Sequence, residues 1–201
     1  MASERGTVVR AHLASASMQS LVAVFAAGLA LTACAAPPPM MVSDTVAATA
    51  PRAQPVGGCP ILVTEVIDTR RARDTLGVVA GRAVKSPPNS EAWLRSVVTG
   101  LNARGFAVEF ADQPQPGVMV ASFSLQTAWV TDEATNMTAN VVLRVRATRE
   151  GATPLSRDYR GAVSRVNWAT TDSELQHLIE ASFGKALDPI ASDLQALCPR
   201  P

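Results

Sequence analysis

Surplus charge is the first thing this sequence lacks. Eighteen Lys and Arg stand against seventeen Asp and Glu, a formal net charge of +1 over 201 residues. Nucleic-acid binding calls for a clustered basic surface, so no nucleic acid is expected as a partner. Charged residues of either sign make up only 17%, which argues against a wholly disordered, self-repelling chain. Two histidines and three cysteines with no local cluster leave little material for a zinc site, so neither a metal nor another cofactor is expected. Long apolar runs are missing too. The run from Leu21 to Leu31 has eleven residues, about 17 Å as a helix against a hydrocarbon core of about 30 Å. It is too short to span a bilayer.

What is present at the N-terminus is an address. Residues 1–20 carry Arg5 and Arg10 with only Glu4 opposing them. A short apolar run and small residues follow, the layout of a secretory signal peptide over residues 1–33. It ends in Leu31-Thr32-Ala33-Cys34, which resembles the lipobox of bacterial lipoproteins. That resemblance implies cleavage before Cys34, a diacylglyceryl group on its thiol and acylation of the new amine. Cys34 is then the first mature residue, and the membrane is its partner through the lipid. Two or more acyl chains make a stable anchor, at about 0.8 kcal/mol per buried CH₂. The alternative is an ordinary signal peptide with an incidental Cys34. Residue 35 is Ala rather than the Asp that favours inner-membrane retention in enterobacterial lipoproteins, which implies the periplasmic face of the outer membrane.

Residues 34–58 read as the lipidated cysteine followed by an Ala/Pro-rich, disordered tether. Five prolines, small residues and only Asp44 and Arg52 as charges cannot build a packed core. Residues 59–201 are long enough for one domain with its own core. Ile61 to Ile67 is apolar on both faces except at Thr64 and Glu65 and reads as an inner strand. Residues 68–88 fit a loop or a short hairpin around Leu76–Ala80. A helix is expected from about Glu91 to Arg104, with Asn89 or Ser90 as cap and Gly105 as stop. Phe106 to Phe110 is a strand and 113–117 a turn.

Three longer strands come next. In 118–130 the residues Met119, Ala121, Phe123, Leu125 and Trp129 fall on one face. In 137–148 one face is wholly apolar and the other carries Thr138, Asn140, Arg144, Arg146 and Thr148, so the sheet has one wet side. Leu155 to Val166 is a weaker strand. Thr171-x-x-Glu174 is a capping box, and an apolar stripe from Leu175 to Leu197 follows it. That helix, about 38 Å long, matches a twelve-residue strand of about 40 Å and can lie along the apolar face. The expected fold is α+β, a two-layer sandwich in which a mostly antiparallel sheet carries two helices on one face.

Cys59 precedes the first strand and Cys198 ends the last helix. In an oxidising periplasm a disulfide between them would close nearly the whole domain; two free buried thiols are the alternative. No catalytic residue is expected, because the mature chain's one histidine, His177, has no companion constellation. With these features on the page, the whole chain resembles the YajG family of Gram-negative lipoproteins. The features that match are the lipobox at Leu31–Cys34, the proline-rich segment, Asp68-Thr69-Arg70 at the end of a strand, Leu101 to Val108 with its Arg-Gly-Phe turn, Arg157-Asp158-Tyr159-Arg160, and the long terminal helix. The family has no characterised function, so the resemblance implies location and domain type rather than a reaction.

Candidate sites are few. Arg70, Arg71 and Arg73 could form an anion-binding loop for a phosphate, a lipid headgroup or a peptidoglycan carboxylate. Alternatively Asp68 and Asp74 pair with them and merely order the loop. Gly77 and Gly81 do not make a phosphate loop, since Lys-Ser/Thr does not follow. The Asn136-Met137-Thr138 sequon carries no weight in a bacterial lipoprotein. Trp93, Trp129 and Trp168 could line a groove, although Trp129 reads as core and Trp168 as a staple at the helix start. Asp132 and Glu133 adjoin in a turn without a second carboxylate pair, which leaves little for a glycosidase. The expected function is therefore that of a non-enzymatic, membrane-anchored lipoprotein that binds an envelope protein or a cell-wall component. An accessory lipoprotein of an envelope lipid-transport or lipopolysaccharide-assembly machine is the alternative, and a peptidoglycan or lipid hydrolase a third class.

Overall fold

Alternating apolar residues dictate the central layer. In a computed structural model describing residues 37–44, 58–166 and 169–198, strands β6 (Met119–Glu133), β7 (Asn136–Thr148) and β8 (Leu155–Val166) form an antiparallel meander. Every second residue of β7 from Met137 to Ala147 is buried, as the sequence requires. The signal segment, Cys34 and Trp168 lie outside the described residues.

The other edge of β6 is shared between two strands. Its first half, Met119 to Leu125, pairs in parallel with β2 (Cys59–Asp68), and Val130–Thr131 pairs in parallel with β3 (Thr75–Val79). Beyond β2 lies β5 (Phe106–Phe110), again parallel; beyond β3 lies antiparallel β4 (Arg82–Lys85). The sheet is thus mixed, with its antiparallel ladders the longest. β2 is an inner strand, paired on both edges as its double-faced apolar pattern requires.

Two helices complete the α+β fold. α1 (Ser90–Val98) is capped by Asn89, whose side chain accepts from the Ala92 N–H. A 3-10 segment, Thr99–Arg104, carries the helical run to Gly105, which closes it with φ +91°. α2 (Asp172–Gln195) starts at a complete Thr171–Glu174 capping box. α1 packs on β2, and α2 lies on β7 and β8. Leu175, Leu178, Ile179, Phe183, Leu187, Ile190 and Leu194 enter the core. Two glycines allow close approach. At Gly161 in β8 a Cβ would lie 1.8 Å from the Ser182 carbonyl oxygen of α2, and at Gly77 in β3 it would lie 2.1 Å from the Val130 oxygen of β6.

Two expectations change. Alternation from Met119 predicts Trp129 on the core face, but an extra residue at Gln126 bulges β6, so Leu125 faces Leu143 while Thr127 faces Val142. From there the buried positions are Ala128 and Val130, and Trp129 turns out at 45% exposure. The second change concerns the tether. Met40–Met41 forms a two-residue strand, β1, parallel to β4, and Met40 and Val42 are buried in the core. Part of the stretch expected as tether therefore packs against the domain. Two apolar side chains, Met40 and Val42, pack this stretch onto the core, while Met41 between them faces solvent.

Candidate functional site

The arginine loop between β2 and β3 folds inward at one residue. Arg70 has 4% of its side chain exposed and grips Asp68 through two bonds, Nε to Oδ1 at 2.9 Å and Nη2 to Oδ2 at 2.7 Å. Nη2 also donates to Ser86 Oγ at 2.8 Å, and the guanidinium lies 5.9 Å from the centre of the Trp93 ring. Burial alone would raise the Asp68 carboxyl; hydrogen bonds and charge from Arg70 outweigh it and hold the group below its ordinary value. Arg70 is thus committed to internal partners, with no fork left for an external anion. Arg71 and Arg73 are exposed, and Asp74 is 3.9 Å from Lys85 rather than bound to an arginine. Arg73 Nε donates to the Arg70 carbonyl at 3.4 Å and Arg70 Nη2 to the Arg73 carbonyl at 3.3 Å, so these two arginines order the loop through its backbone.

The tryptophans separate. Trp93 is fully buried, edge-on to Phe183 at 5.1 Å, and its indole Nε1 has no hydrogen-bond partner among the described residues. Trp129 stands on the opposite, helix-free face. His177 is exposed on α2, and the described residues contain no group of three potential metal ligands. Cys59 and Cys198 are joined as a disulfide across a sequence separation of 139, tying the start of β2 to the short turn that follows α2.

The open face of the sheet holds an arrangement of polar side chains that points outward. Ser122 and Ser124 of β6 are short, and longer side chains of β2 and β7 rise on either side. They frame a solvent-open depression of about 220 Å³. One wall is Glu65, Ile67 and Thr69; the other is Arg144 and Arg146, with Gln126 closing one end. The strand register places Glu65 beside Ser122 and Ser122 beside Arg146.

The two arginines differ in state. Arg144 is forked onto Asp158 at 2.7 and 2.9 Å. That hydrogen bond, together with the opposite charge of each partner, holds Asp158 below its ordinary value and raises Arg144. Arg146, two residues on, makes no side-chain hydrogen bond or ion pair with the described residues. Ser124 accepts from Gln126 Nε2 at 2.8 Å, leaving its own hydroxyl hydrogen to donate. The depression therefore offers hydroxyl donors and an uncompensated guanidinium to a small anion or hydroxylated ligand, with Glu65 as an acceptor opposite. Sequence reading missed it because it is assembled from three strands; the signal available was the Arg144-x-Arg146 pair on the wet side of β7.

No family model matches this chain, and no curated protein matches it in sequence. Solved structures do resemble it. The protein XCC0632 of Xanthomonas campestris, of family DUF330, is 15% identical over 78% of this chain and 99% of its own, with a TM-score of 0.47. A minor lipoprotein of Acinetobacter baumannii is 12% identical over 71% and 97%, with a TM-score of 0.40. Lipoprotein GNA1162 of Neisseria meningitidis is 12% identical over 66% and 98%, with a TM-score of 0.35. At this distance the likenesses give this chain neither an activity nor a partner.

Proposed function

We propose that this chain is a lipoprotein of the Gram-negative envelope, of the YajG type, anchored through Cys34 at the periplasmic face of the outer membrane, and that it works by binding rather than catalysis. The observation that carries the reading is Cys34 itself, placed where an eleven-residue apolar run ends after a basic start. The Cys59–Cys198 bond is consistent with export to an oxidising compartment. The binding half is supported by the depression beside Arg146, whose preformed wall and floor suit recognition of an envelope component. Labelled palmitate tests the anchor: the wild-type chain takes up label and Cys34→Ala does not, while a Cys34→Ala chain that still incorporates label refutes the reading.

A second reading is favoured by β8, which among the described residues pairs with β7 alone and leaves twelve residues of strand along its other edge. Such an edge can accept a strand from another protein, which would suit an accessory subunit of an envelope transport or assembly machine. Photo-crosslinkers along β8 in living cells decide between them: one transporter subunit captured in stoichiometric yield favours the accessory role.

A further inference from the structure

We infer that the end of the sheet bearing Val78, Trp129 and Val166 rests on the lipid surface, held there by the shortness of the link between Cys34 and Pro38. The inference rests on the anchored reading above and adds an orientation to it. Four residues span at most about 14 Å however they run. The headgroup layer is itself about 5–7 Å thick on each side of the hydrocarbon. With a lipid on Cys34, Pro38 cannot leave the vicinity of the interface, and Pro38 belongs to the folded unit.

Its place in the sheet is fixed by hydrogen bonds. The Pro38 carbonyl accepts from Arg82 Nε at 2.8 Å, and Arg82 is the first residue of β4, just after the turn at Ala80–Gly81. The Ala80 N–H donates to Asp132 Oδ2 at 2.7 Å, stitching that turn to the end of β6. Glu133 there pairs with Asn136, and Asn136 with Val166, so the turn and the ends of β6, β7 and β8 form one rim.

Exposed apolar side chains lie on the open face from that rim to four residues inside it. Five large hydrophobic residues are exposed among the described residues, and three of them are Val78 (52%), Val166 (50%) and Trp129 (45%). Val78 is registered with Thr131, two residues from Trp129 on the same strand and face, and Val166 lies one row further out. A tryptophan with an apolar body and one N–H donor suits the boundary between headgroups and acyl chains. Arg82 and Arg165 balance Asp132 and Glu133 at this end, so the contact is apolar rather than a pull of charge. The depression beside Arg146 lies further along the same face, away from the rim, and stays open to the periplasm.

The test uses the full mature lipidated chain carrying Trp168→Phe, in phosphatidylethanolamine–phosphatidylglycerol vesicles with a nitroxide lipid labelled near the carbonyl end of the acyl chain. Buried Trp93 and surface Trp129 remain as fluorophores. Emission is expected to fall, with the Trp129 component reduced roughly two-fold or more, and the quenched part to vanish in Trp129→Phe. A flexible Gly/Ser insertion of roughly twenty residues between Ala36 and Pro37 should release the rim and restore the emission. An anchored protein whose Trp129 is not quenched, or whose quenching is unchanged by Trp129→Phe or by the insertion, overturns the inference. Palmitate labelling of the same samples keeps the two readings apart: labelled but unquenched protein defeats only the orientation, and unlabelled protein defeats the anchor.

Discussion

Gly161 of β8 and Ser182 of α2 meet backbone to backbone, and no side chain larger than hydrogen fits between them. The Ser182 hydroxyl is shared between the Ala139 and Leu178 carbonyls at 3.1 and 3.0 Å, so the crossing is also hydrogen-bonded. Gly161→Ala must push the helix off the sheet, which costs about 1–3 kcal/mol or more by overpacking. Ser182→Ala loses only a hydrogen bond, about 1 kcal/mol. Urea unfolding of both variants should rank them in that order.

The disulfide closes a loop of 139 residues, worth up to about 5 kcal/mol in the chain-entropy model. Cys59→Ser with Cys198→Ser should lower stability by a comparable amount. Thiol titration of the mature protein should find no free thiol without reductant and two with it; two free thiols at the outset would contradict the bond.

Asp68 and Arg70 form a buried pair, 3% and 4% exposed at their side chains. Arg70→Met strands a carboxylate in the interior and should cost about 3–5 kcal/mol, while Asp68→Leu with Arg70→Met should recover most of it. The pH dependence has a definite sign. The folded-state pKa of Asp68 is depressed below 3.8, so the pair's contribution is complete above that value and disappears as pH falls through the lower folded value. The stability gap between wild type and Asp68→Asn should close over that acid range.

The two described tryptophans predict opposite outcomes. Trp93→Ala opens a cavity under α1 and beside Phe183 and should cost about 3–5 kcal/mol. Trp129→Ala, on the open face, should change the stability of the unanchored domain by no more than about 0.5 kcal/mol. Thermal unfolding of the pair checks both.

How much of this was legible depended on the reach of each signal. The α2 capping box and stripe, the β7 alternation and the inner character of β2 are written within a few residues and were readable. The bulge at Gln126 was not, because an extra residue in one strand exists only relative to its partner. Alternation carried through it put Trp129 on the wrong face. Arg70 was half legible: Asp68 two positions away was visible, but Ser86, sixteen positions on, and the Trp93 ring come from the fold. The docked stretch at Met40–Val42 was hidden by averaging, since five prolines and many alanines outweighed three apolar side chains.

β1 is a short seam at the edge of the sheet, two residues paired along one side. A pull arriving from Cys34 would load this seam before any other part of the domain. If it parts, residues 35–58 join the connector, and its maximum reach rises from about 14 Å to about 80 Å. The next element to bear tension is then β2 at Cys59, where the covalent bond to Cys198 diverts force to the far end of α2. Under such a pull the two-residue ladder would act as a fuse in series with the Cys59–Cys198 clamp, yielding length before the fold is loaded.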